Sequence, residues 1–178
     1  TVLNEWNRLD NNWVEFEIPY EHIINLLNKN DLILDIGGGP GRYSFRLTKE
    51  GYSVFLADLA EENINYALLK SKELNIELAG YKTVNILDME YFQDNSFDSI
   101  ICLGPFYHLI NQEDKKQAIK ELNRVVKPGG YVFCAFITNY APIFDGLKRD
   151  ITSIESTESK IRAVSYTHLA GDSQMTLP

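Results

Sequence analysis

Asp35 and the alternate glycines Gly37, Gly39 and Gly41, with Gly38 and Pro40 between them, are the stretch whose residue types point most directly to chemistry. Glycines let the backbone turn tightly and approach a ligand with no Cβ in the way. A carboxylate facing such a loop suits a ligand carrying an amino group and repels a pyrophosphate. The spacing is D-x-G-x-G-x-G. Counted from Gly37, the sixth position of the dinucleotide fingerprint G-x-G-x-x-G falls on Arg42 instead of glycine. Further along, the two oxygens of Asp58 can accept hydrogen bonds from a vicinal diol. Asp58 can equally cap the helix that opens at Ala60-Glu61-Glu62. Asp88 can accept from an exocyclic amine with Met89 against a purine ring, or serve as a plain turn residue. His108 is the candidate general base, since histidine is the residue type suited to proton transfer near neutral pH, although a histidine here can also contact a ligand or simply pack. Tyr107 and Phe106 beside it read first as pocket wall.

These residues need a scaffold that brings them to one edge. Leu32 to Ile36 is a short apolar run, as expected of a strand buried on both faces. From Tyr43 the pattern turns helical, running to about Glu50, with Gly51 as its cap. Strand, glycine turn and helix form the first half of a βαβ unit, and the free N–H groups at the helix start favour a carboxylate or phosphate. Ser53 to Ala57 reads as strand two, Glu61 to Leu74 as a helix, Tyr81 to Ile86 as strand three, Phe97 to Leu103 as strand four, and Tyr131 to Ile137 as strand five. Asn111 caps the helix before strand five, with Ala118, Ile119, Leu122, Val125 and Val126 as its apolar stripe, and Lys127 to Gly130 ends it. The fold class is α/β: a doubly wound, mostly parallel sheet with helices on both faces. In such sheets ligands bind outside the carboxyl ends of the strands at the reversal of strand order. Strands one and four flank that reversal, so Gly104 to His108 overlook the reacting end of the ligand.

The stretch from Leu32 to Tyr43 resembles motif I of the class I S-adenosylmethionine-dependent methyltransferases. Glu-Leu-Asn-Arg-Val-Val-Lys-Pro-Gly-Gly before strand five is similar to another hallmark of that family, and Leu-Gly-Pro-Phe-Tyr-His-Leu resembles a segment of bacterial small-molecule methyltransferases. The resemblance runs from about Leu32 to Ile137. It implies S-adenosyl-L-methionine as cofactor and S-adenosyl-L-homocysteine as product. The methionine portion would lie on Asp35 and the Gly37 to Gly41 loop, the ribose on Asp58, and the adenine on Asp88 with Met89. Leu59, Leu103 and Gly104 join these as cofactor contacts, and His108 and Tyr107 are the catalytic candidates. The reaction implied is in-line methyl transfer to a small molecule, driven mainly by positioning. Two other readings stay open: a cofactor-binding remnant without catalysis, and a nicotinamide-dependent oxidoreductase.

The chain has 178 residues and a formal net charge of −8, with no Lys/Arg cluster, which argues against a nucleic-acid partner. No apolar run is long enough for a membrane span. Cys102 and Cys134 sit in strand-like runs and read as buried thiols of a cytoplasmic protein, not as a disulfide or a metal site. Residues 1–30 are expected to form a helical arm or cap, in which Pro19 opens a helix with Ile23, Ile24, Leu26 and Leu27 inward. Trp6 and Trp13 either roof a pocket or pack the arm down. Residues 31–140 are the cofactor-binding core and 141–178 a lid-like or truncated end in which the family's two further strands are not legible. An open flank of strand five would then allow a dimer.

Overall fold

The computed structural model describes residues 2–11 and 13–137. It places a five-stranded parallel sheet at the centre: β1 (Leu32–Ile36), β2 (Ser53–Asp58), β3 (Gly80–Thr83), β4 (Phe97–Cys102) and β5 (Val126–Cys134), in the order β3-β2-β1-β4-β5. All four pairings are parallel. The order reverses between β1 and β4, as the sequence predicts. The helices are α1 (Val2–Asn11), α2 (Trp13–Ile24), α3 (Arg42–Lys49), α4 (Glu61–Leu74) and α5 (Gln112–Val125), with a short 3-10 turn at Pro105–Tyr107. The described residues up to Ala135 form one compact unit. The expected lid-like or truncated end lies outside the described residues.

The central strands β1, β2 and β4 are buried on both faces because alternate side chains of one strand face opposite helix layers. Ile33 of β1, Val54 of β2 and Ile101 of β4 pack with Tyr20, Ile23 and Leu47 of α2 and α3. Leu34, Ile36 and Ile100 point the other way, onto Ala118, Leu122 and Val125 of α5. Phe45 of α3 and Ile64 and Ala67 of α4 close a third cluster over Leu56. That period of two, set against helices at a period near 3.6, is what makes apolar runs of five or six residues central strands.

Several local expectations change. Pro19 lies inside α2 instead of opening a helix. Ile23 and Leu27 are buried as expected, but Leu26 is exposed. Strand three stops at Thr83, three residues short of Ile86, because the chain turns where the Asp88 N–H donates to the Asn85 carbonyl at 2.9 Å. Strand five begins at Val126, which pairs with Phe97, and regains register at Tyr131 opposite Ser99. Lys127 to Gly130 therefore bulge out within the strand. On α5 the Asn111 cap holds, its side chain accepting the Asp114 N–H at 2.7 Å. Ile119 is exposed, while Glu121, absent from the expected stripe, is buried. Trp6 packs against Phe45 and Tyr66, with ring centroids 6.0 and 5.8 Å away, so it ties α1 to the domain.

Candidate functional site

Two adjoining lobes of a groove run along the carboxyl ends of the strands. One, of about 580 Å³, is lined by Asp35, Gly37 to Pro40 of the glycine loop and Tyr107, whereas Gly41 lines neither lobe. The other, of about 480 Å³, is lined by Asp58, Leu59, Asn63, Asn85 and Ile86. Gly37, Gly39, Gly104, His108 and Glu5 border both lobes, so these residues form the ridge between them.

The glycine loop is shaped by contact across the sheet reversal. Gly37 has φ +67°, and a Cβ there would come within 2.3 Å of the Pro105 side chain. Gly39 has φ +56°, and its missing Cβ would meet nothing closer than Glu5 at 3.9 Å. Left-handed backbone costs an L side chain about 1–2 kcal/mol, so glycine suits both places, for different reasons at each.

Asp35 ends up inside the protein, 2% exposed. Ser44 at the start of α3 donates its hydroxyl to Asp35 Oδ2 at 2.6 Å. Among the described residues no cation pairs with it. Burial pushes the Asp35 carboxyl up to about 6, the nearby Asp58 adds to that, and the Ser44 hydrogen bond opposes it. A buried carboxylate beside a cavity and lacking a cation favours a ligand that carries one. Asp58, 7% exposed, holds the loop: its Oδ2 accepts the Gly39 N–H at 2.8 Å. Its Oδ1 accepts the Ala60 N–H at 2.9 Å and the Asn63 amide at 3.0 Å. It thus meets part of the capping expectation without being the cap, which is Ala60. A carboxylate offers about four lone-pair positions, so Oδ2 keeps one for a hydroxyl in the groove.

Leu59, Leu103, Gly104, Tyr107 and His108 all reach the groove. Asp88 and Met89 do not line either lobe, and this corrects the adenine expectation. Met89 is fully buried in the core layer under α5, so it cannot lie against a bound ring. Its N–H donates to Glu121 Oε2 at 3.0 Å and its carbonyl accepts from Arg124 Nη2 at 2.9 Å. Asp88 is exposed, with Oδ1 accepting the Glu90 N–H. β3 ends three residues early, and Asn85 and Ile86 line the second lobe instead. Counting from the shorter strand would have found them. The helical arm contributes Val2 and Glu5 from α1, and Pro19, His22 and Ile23 from α2, to the groove wall. Only an amphipathic pattern signalled that segment, and nothing in it marked which face meets the groove.

A family model described as "Methyltransferase domain" matches residues 34–134. A ubiquinone biosynthesis O-methyltransferase from Acinetobacter baylyi is 27% identical over 135 residues, covering 76% of this chain and 52% of that protein. A ubiquinone/menaquinone biosynthesis C-methyltransferase from Rickettsia prowazekii is 32% identical over 138 residues, covering 73% and 52%. The chain spans about half the length of the curated relatives it matches. Among solved structures, a SAM-dependent methyltransferase from Methanosarcina mazei is 33% identical with a TM-score of 0.58, covering 63% of this chain and 55% of that one. Parallel sheet, reversal at β1 and β4, glycine loop and acid at the end of β2 agree with these matches: the chain belongs to the class I S-adenosylmethionine-dependent methyltransferase family.

Proposed function

We propose that this chain binds S-adenosylmethionine along the two-lobed groove and directs methyl transfer to a small-molecule acceptor. The observation that carries the reading is Asp35, a buried carboxylate at the groove with no cation partner among the described residues. When bound, the cofactor supplies a methyl group on a sulfonium sulfur, a reactive centre whose leaving group is already good. Asp35 accepts the ammonium of its methionine portion. Gly37 and Gly39 give the backbone close approach, and Asp58 Oδ2 accepts from the ribose. Asn85 and Ile86 flank the adenine. His108 and Tyr107 stand at the ridge and the first lobe, where they orient an acceptor and where His108 can take up a proton released from it.

The wall of the first lobe includes Pro19, Ile23, Tyr43, Tyr107 and Phe133. Apolar and aromatic surface of that kind suits a planar, weakly polar acceptor, and the quinone-pathway names of the relatives agree with it. No described helix is long and apolar enough to cross a membrane. We place the chain in the cytoplasm, in keeping with its two free thiols.

The test is a thermal-shift titration with S-adenosylhomocysteine and with NAD. A ligand at about 100 times its dissociation constant adds about 2.7 kcal/mol to stability. A rise with S-adenosylhomocysteine alone is expected, and radiolabelled methyl transfer across phenolic, quinol and amine acceptors then identifies the substrate. A rise with NAD alone overturns the reading.

A further inference from the structure

The two cysteines are 32 positions apart in sequence, yet the sheet sets them side by side. Cys102 closes β4, Cys134 closes β5, and the two are direct partners in the register of the parallel pair. In-register residues of neighbouring strands point to the same face, and both thiols pack in the core layer under α5. Adjacent strands lie about 4.8 Å apart, inside the roughly 4.4–6.8 Å Cα separation that a disulfide spans. The partners differ in access. Cys102 is fully buried, whereas Cys134 is half-buried and lines the first lobe of the groove. The neighbouring Cys102 holds the Cys134 thiol below its ordinary range, while the neighbouring Cys134 and then burial push the Cys102 thiol up.

We propose that Cys102 and Cys134 form a dithiol site at the groove wall that closes to an intrachain disulfide on reaction with hydrogen peroxide. Cys134, reachable from the groove, is the attacking thiolate. Its sulfur bonds to one peroxide oxygen as the O–O bond breaks. The departing hydroxide takes a proton and leaves as water, so Cys134 carries a sulfenic acid. The Cys102 sulfur then attacks the Cys134 sulfur, the S–O bond breaks, and hydroxide leaves as water with the Cys102 proton. Two electrons pass from the sulfur pair to the peroxide. Dithiol reductants reverse the bond, as befits a reducing compartment in which such links are transient. The bond ties the ends of β4 and β5 where Leu103, Gly104 and Ala135 border the groove. This inference rests on strand register and holds whatever ligand the groove takes.

The chain has only two cysteines, so an intrachain disulfide can have only one connectivity. The reduced full chain is exposed to hydrogen peroxide and followed by intact mass, by thiol titration after denaturation and by non-reducing electrophoresis. The expected result is a loss of about 2 Da with both thiols disappearing together, restored by dithiothreitol. The folded chain should react at least about tenfold faster than the chain in urea, because the fold sets the sulfurs together. Cys102→Ser should stop at a sulfenic acid that dimedone traps on Cys134. Unchanged mass in the folded wild-type chain, a disulfide between chains, over-oxidation in place of the disulfide, or faster closure in urea each overturns the proposal, and none needs a variant to fold.

Discussion

The Gly39 N–H donates to Asp58 Oδ2 at 2.8 Å, linking the loop after β1 to the carboxyl end of β2. The residues are 19 positions apart. They meet because β1 and β2 pair in parallel from Leu32 opposite Ser53 through Ile36 opposite Ala57. The acid therefore does two things at once: it holds the glycine loop in its left-handed turn, and it faces the second lobe of the groove.

Replacing Asp58 with Ala should therefore be felt twice. Stability falls by about 1–3 kcal/mol as Gly39, Ala60 and Asn63 lose their acceptor, and S-adenosylhomocysteine binds about 1.5–3 kcal/mol more weakly. Chemical denaturation reads the first effect and calorimetry the second. Unchanged affinity removes the ribose assignment.

Asp35 sets two opposed pH dependences. Burial holds its carboxyl at about 6 against an ordinary 3.8, so the folded chain binds this proton more tightly than the unfolded chain. Its contribution to stability is full below 3.8 and is lost as pH rises to about 6. The span is on the order of 3 kcal/mol. Asp35→Asn, which mimics the protonated acid, should match wild type in acid and exceed it in stability above that window. Binding of an ammonium has the other sign, since it needs the ionised acid. Wild-type affinity for S-adenosylhomocysteine should fall by up to about tenfold per pH unit below the carboxyl's value. In Asp35→Asn this slope should vanish along with most of the affinity. A flat wild-type profile removes Asp35 from the ammonium contact.

Gly37 and Gly39 separate backbone strain from steric contact. Gly39→Ala meets nothing nearer than 3.9 Å and should cost only the φ penalty, about 1–2 kcal/mol. Gly37→Ala adds a collision with Pro105 at 2.3 Å and should cost about 1–3 kcal/mol more. Urea midpoints of the two variants measure the difference, and equal costs exclude the Pro105 contact as a cause.

On the adenine side, Asn85→Ala should weaken S-adenosylhomocysteine binding by about 0.5–1.5 kcal/mol, while Asp88→Ala leaves it unchanged. Calorimetry on the two variants decides which residue serves the ring, and the reverse order restores Asp88.

Arg124 should matter for stability far more than its partly exposed position suggests. Its guanidinium donates to the carbonyls of Met89 and Phe92, both at 2.9 Å, to Glu121 at 2.7 Å and to Asp94 at 2.8 Å. Arg124→Met leaves Glu121 buried without its cation and should cost about 2–4 kcal/mol. Adding Glu121→Gln should recover part of that loss. A loss below about 1 kcal/mol would show that the network contributes little.

Read alone, the sequence determined the parallel α/β sheet, the reversal of strand order, the glycine loop and the acid after strand two. Each rests on a local signal: apolar runs bounded by turns, glycines at fixed spacing, a capping Asn111. What only the tertiary structure decided lies where local signals are silent. Strand three ends where Asn85 and Asp88 close a turn, and that shift of three residues put Asn85, in place of Asp88, on the second lobe. Glu121 faces inward because Arg124 and the Met89 N–H satisfy it, which no hydrophobic pattern can register. Cys102 and Cys134 become neighbours through the register of β4 and β5. Periodicity reports which face of an element is apolar. Which residues of distant elements meet depends on where strands stop and how they pair, and only the folded chain settles that.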